Sequence, residues 1–81
     1  MNAASVDFLH TEADTGLLFA NIAMGSDEFE KTARNQAHAR LAYDTVLRFV
    51  GRVSLTAAEA EGLSAKMGRL KGELRMLGES F

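Results

Sequence analysis

The sequence predicts an all-α fold, an up-down-up antiparallel three-helix bundle with helices near residues 6–24, 27–50 and 57–77. Three observations carry that expectation. Apolar residues recur at spacings of three and four over long stretches, the signature of a buried helical face. No proline interrupts the chain. Two glycine-bearing breaks, MGSDEFE and VGRVSLTAAE, divide it into three pieces. At about 1.5 Å per residue each helix is roughly 30 Å long, and connections this short force neighbouring helices to run in opposite directions.

The opening helix is the least conventional. Thr11 with Asp14 is a further candidate cap, which would leave the first five to ten residues to fray or be disordered. From Leu17 to Met24 the apolar side chains go most of the way round the cylinder, interrupted only by Asn21, which is expected to face solvent. A helix on the surface of a bundle needs one apolar stripe, not a full jacket. Gly25 is expected to end this helix in a left-handed conformation, with Ser26 or Asp27 capping the next and Glu30 completing a box with Asp27.

The middle helix offers Phe29, Ala33, Ala37, Leu41, Tyr43, Val46, Leu47, Phe49 and Val50 as its apolar band. Gly51 stops it, and Thr56 with Glu59 forms a capping box for the last helix. There Ala60, Leu63, Met67, Leu70, Leu74 and Leu77 alternate spacings of three and four and form one core seam. The opposite face carries Ala58, Glu61, Ala65, Gly68, Gly72 and Met76, a strip with little side-chain bulk. Each of its two glycines costs about 1 kcal/mol of helix stability relative to alanine, so the strip invites close approach by another backbone.

Eighty-one residues with 47% apolar content fit one small helical domain. A chain of this size buries only about 60% of the surface it exposes when unfolded, so a second subunit would help it appreciably. The absence of cysteine excludes disulfides, thiolate metal sites and thiol nucleophiles. The longest apolar run is too short to span a bilayer, and a soluble, cytoplasmic protein without membrane partners is expected.

Charge is unevenly spread, although the net value is only −2. Residues 1–30 carry Asp7, Glu12, Asp14, Asp27, Glu28 and Glu30 and no base, whereas residues 31–56 carry Lys31, Arg34, Arg40, Arg48 and Arg52 against Asp44 alone. Those arginines lie on a helix about twice the length of a recognition helix in a mildly acidic chain, so no nucleic-acid partner is expected. His10 and Asp14 share a helical face but lack the third and fourth ligands a stable metal site needs. His38 has no carboxylate one turn away to orient it as a base. With no nucleophile elbow, phosphate loop or H-E-x-x-H pair, the chain is expected to be no enzyme and to carry no cofactor.

These readings converge on an interaction module. Candidate interface residues are Leu18, Phe19 and Ile22 on the first helix and Ala65, Gly68, Gly72 and Met76 on the last. A homodimer is the simplest partner, another protein or a helical peptide the next. The alternative is a ligand-carrying, metal-binding or enzymatic bundle built on His10, Asp14 or His38.

ARLAYDTVLRFV, residues 39–50, resembles the second helix of tetratricopeptide-like hairpins and of the MIT domain. In both, small residues and an aromatic pack against the preceding helix, and Ala39, Tyr43, Leu47 and Val50 occupy the corresponding spacing. The chain departs from the tetratricopeptide pattern in lacking its terminal proline and a second copy and in having a third helix of heptad character. The resemblance implies a peptide- or helix-binding groove between neighbouring helices.

Overall fold

The computed structural model describes the backbone of residues 2–81 and the side chains of residues 4–81. Its helices are α1 (Asn2–Met24), α2 (Phe29–Val50) and α3 (Ala57–Met76), packed into a rod of 41 × 19 × 17 Å. Side-chain partners fix the directions. Phe8 meets Phe49 and Phe19 meets His38, so α2 runs antiparallel to α1. Asp14 meets Lys66 and Gly16 meets Leu70, so α3 runs parallel to α1. The expected up-down-up bundle of three helices is what forms.

Three local expectations change. Met1 lies outside the described residues, but from Asn2 onward the chain is helical, with Val6 and Leu9 buried, and Thr11 sits inside the helix rather than capping it. Burial of Leu9 among Ala13, Val46 and Leu63 is the reason the helix extends so far. Helix α2 starts at Phe29, two residues later than expected, with Glu28 at the N-cap and no side-chain cap. Ser26 is used in the connection instead: its hydroxyl accepts from the Glu28 amide at 3.3 Å, and its carbonyl accepts from the Thr32 hydroxyl at 3.3 Å. Gly25 is not left-handed; among the described residues only Gly78 has a positive φ, of 103°. The Thr56–Glu59 box forms in full, each side chain bonding the other's backbone amide.

Small residues line the core side of α1. Ala13, Gly16, Ala20 and Ala23 are buried, Gly16 and Ala20 facing Ala39 and Ala42 of α2 and Leu70 of α3, and Ala13 packing with Val46 and Leu63. Such a stripe lets helix axes approach closely, and the gap is filled from α3 by Leu63, Leu70 and Leu74. Met67 packs against both halves of this core. The predicted α3 seam is therefore correct apart from Ala60, which is exposed in the first turn. Among the described residues Asn35 is the one buried polar residue, its side-chain amide donating to the Lys31 carbonyl at 2.9 Å.

Close packing on α1 comes at the expense of the third side of the triangle. Helices α2 and α3 approach each other much less than either approaches α1. A groove remains between them. Its one end is lined by Val46, Leu47, Val50, Leu55, Leu63 and Met67, its other by Phe29, Ala33, Ala37 and Leu77.

Candidate functional site

Where the inward stripes of α1 and α2 are alanine and glycine, several large apolar residues of the same helices turn outward. Leu18 is 58% exposed and Leu41 64%, and Phe8, Ile22 and Met24 are exposed as well. The antiparallel register set by the Phe8–Phe49 and Phe19–His38 pairs brings Leu41 level with Gly16, whose position also faces Ala42. Leu18, Ile22 and Leu41 thus fall within about two turns along the rod. Of the candidates on α1, Leu18 and Ile22 are free. Phe19 is half-buried against the core and stacks on the His38 ring at 4.9 Å, so much of its surface is already covered. That stack also gives His38 a neighbour the sequence did not suggest.

Charges flank this face without partners of their own. Among the described residues, Asp7 and Glu12 on α1 and Arg34 and Arg48 on α2 make no ion pair. Arg34, Leu41 and Arg48 are each seven residues apart and so share one stripe of α2. Asp14 by contrast is joined to Lys66 at 3.0 Å, an exposed pair worth about 0–1 kcal/mol. His10 lies beside Gly62, and no group of three or more His, Asp or Glu side chains among the described residues is placed to hold a metal.

Ala65, Gly68, Gly72 and Met76 all lie exposed on the outer face of α3. A Cβ built at Gly68 or at Gly72 would meet nothing within 4 Å. The glycines therefore accommodate no neighbour from their own chain. In the isolated subunit Gly68→Ala and Gly72→Ala are each expected to raise stability by up to about 1 kcal/mol, since alanine restricts the unfolded chain and favours the helix. Thermal melts of the double variant check this, and a lower melting temperature would show that another backbone rests on the strip.

A third feature went unnoticed in the sequence. Gly78, in its left-handed conformation, turns the chain back after α3: the Glu79 amide bonds the Leu74 carbonyl at 2.9 Å and the Gly78 amide bonds that of Arg75 at 3.0 Å. Residues 79–81 then lie across the α2–α3 groove. Glu79 accepts from Arg40 Nη1 at 2.9 Å and from the Gln36 amide, and the Ser80 carbonyl accepts from the same Arg40 nitrogen at 3.0 Å. Phe81 sets its ring edge-on to Tyr43 at 5.0 Å. Three cations surround that ring, Arg40 at 4.4 Å, Lys71 at 5.3 Å and Arg75 at 5.8 Å from its centre. Hydrogen bonding to Asp44 holds the Arg40 guanidinium above its ordinary pKa, with Glu79 adding to the effect and desolvation opposing it. The only clue in the sequence was a glycine one residue past the last seam leucine, followed by an acid and an aromatic.

Of the residues in the tetratricopeptide-like stretch, Ala39 and Tyr43 are buried, Val50 is partly buried and Leu47 is exposed at the α2–α3 groove. No family model, no curated protein and no solved structure matches the chain. Among the described residues, no helix is long and apolar enough to cross a membrane.

Proposed function

We propose that the chain is a small helical protein–protein interaction module that self-associates as a homodimer through the outer face of α1 and α2. The observation that carries this reading is the outward placement of Leu18, Ile22 and Leu41, while Gly16, Ala20, Ala39 and Ala42 occupy the inside of the same helices at that level. A bundle gains nothing from large apolar side chains facing water, and a contiguous group of them marks an interface.

A second copy suits that face through its charges. In a two-fold pair the same patch serves both partners, so α1 of one copy lies over α2 of the other. Acidic α1, with Asp7 and Glu12, then meets basic α2, with Arg34 and Arg48, around a centre of leucine and isoleucine. Opposite charges at the rim set orientation and exclude wrong partners, while the apolar centre supplies the affinity.

Light scattering coupled to size-exclusion chromatography across the micromolar range tests the proposal. The wild-type chain is expected to be a dimer, and Leu18→Glu with Ile22→Glu a monomer. Both positions are exposed, so circular dichroism should show unchanged helix content in the variant. A wild-type chain that stays monomeric throughout the range, or a double variant that still dimerises, would overturn the reading.

A further inference from the structure

We propose that the slot formed by Arg40, Tyr43, Lys71 and Arg75 between α2 and α3 is a recognition site for an acid-x-aromatic segment of another protein, with Glu79–Phe81 as its resident and displaceable occupant. The site is separate from the α1–α2 face and does not depend on it.

The chain's own tail displays the chemistry that the slot accepts. One carboxylate, that of Glu79, receives the Arg40 guanidinium and the Gln36 amide. One ring, that of Phe81, lies edge-on to Tyr43 with cations of three side chains within reach of its centre. Arg40, Lys71 and Arg75 repel one another, and an incoming acid with an electron-rich ring offsets that repulsion where water alone does so less well. The spacing is fixed by the geometry, because the residue between acid and aromatic contributes only its carbonyl, to Arg40. Any side chain can stand there.

The resident segment is lightly held. Phe81 remains 45% exposed. Beyond the turn at Gly78 and Glu79, no backbone–backbone hydrogen bond among the described residues secures Ser80 or Phe81. The groove also continues past the tail into a depression of about 360 Å³, where Phe29, Ala33 and Ala37 lie exposed and Glu79 forms the border. A partner segment with an apolar residue near its acid would cover those side chains as well as filling the slot, which the tail does not do. Extra contact of this kind lets an outside segment compete with an occupant that has the advantage of being tethered.

Fluorescence anisotropy with a labelled peptide of sequence MLGESF, its C-terminus amidated, tests the assignment on full-length chains. Phe81→Ala frees the slot and is expected to bind the peptide about tenfold more tightly than wild type. Glu79→Gln leaves the ring seated and should give a smaller gain in the same direction. Adding Arg40→Glu to Phe81→Ala is expected to abolish binding, as is replacing the peptide's glutamate or phenylalanine by alanine. Helix content by circular dichroism confirms that each variant is folded. Equal affinity for wild type and both tail variants, or binding that survives Arg40→Glu, would overturn the proposal. So would exchange of the tail between copies, read as energy transfer between chains labelled beside Phe81 and Tyr43, because the slot's occupant would then be a second copy.

Discussion

Leu70→Ala is expected to lower stability by about 2–5 kcal/mol, the range for emptying a fully buried leucine site that cannot collapse. Leu70 has no exposed surface and sits where all three helices meet, among Ala20, Ala39, Tyr43 and Leu74, with its methyls against Gly16. Its neighbours on α1 and α2 are too small to move into the space. For a domain of this length total stability is about 4–12 kcal/mol, so one methyl-bearing side chain accounts for a large part of it. Each kcal/mol shifts the melting temperature by roughly 4–8 °C in a domain of this size. A drop of at least about 10 °C in a calorimetric or circular dichroism melt is therefore the expected readout.

Gly16→Val should cost about 3 kcal/mol by overpacking the same junction from the other side. A Cβ at Gly16 would stand 2.6 Å from a Leu70 methyl and 3.1 Å from the Ala42 Cβ. Leu70 could swing its methyl aside only into a filled core, and Ala42 has no rotamer to change, so α1 and α2 must separate. Gly16→Ala meets the same atoms but regains about 1 kcal/mol of helix propensity, so its net loss is smaller. The two sites are directly coupled. In a Leu70→Ala background the nearer obstruction is gone and only the 3.1 Å approach to the Ala42 Cβ remains, so Gly16→Ala should cost clearly less than in the wild type, a coupling that a double-mutant cycle in urea would measure.

That junction also explains which parts of the fold were legible in the sequence. Helix α3 was read correctly because its core residues are leucines at seam spacing, and burial there follows hydrophobicity. On α1 the same rule holds at Val6 and Leu9 and fails further along the helix. Leu18, Phe19 and Ile22 are the residues that transfer free energies favour for the interior, yet Ala13, Gly16, Ala20 and Ala23 occupy it. Close approach of helix backbones rewards small size, which a scale of hydrophobicity ranks low. The greasy jacket on α1 was a sound observation, but it concealed which side faced in. The same inversion on α2 leaves Leu41 and Leu47 outside and admits Asn35, a residue that periodicity alone would place in water.

Candidate site residues divide along similar lines. Leu18 and Ile22 could be singled out because an unbroken apolar run shows in the sequence, and Phe19 could not be told apart from them without knowing that His38 lies across the helix pair. The α3 strip of Ala65, Gly68, Gly72 and Met76 was placed on the face opposite the seam by spacing alone, and it lies there. The Arg40 slot is not legible in the sequence because it joins residues far apart in the chain through residues 79–81, too few to show any period. Capping was legible only where the box was complete: Thr56 and Glu59 bond each other's backbone, whereas Ser26 and Asp27 serve a connection with a different hydrogen-bond pattern.

The left-handed turn at Gly78 has a practical corollary for handling the protein. By sending the polypeptide back over α2, it brings Phe81 to the waist of the rod, beside Tyr43, rather than to a pole. A bulky label attached at Phe81 would sit at mid-length and shade the groove there. A label intended to leave that flank clear belongs on the outer side of α3.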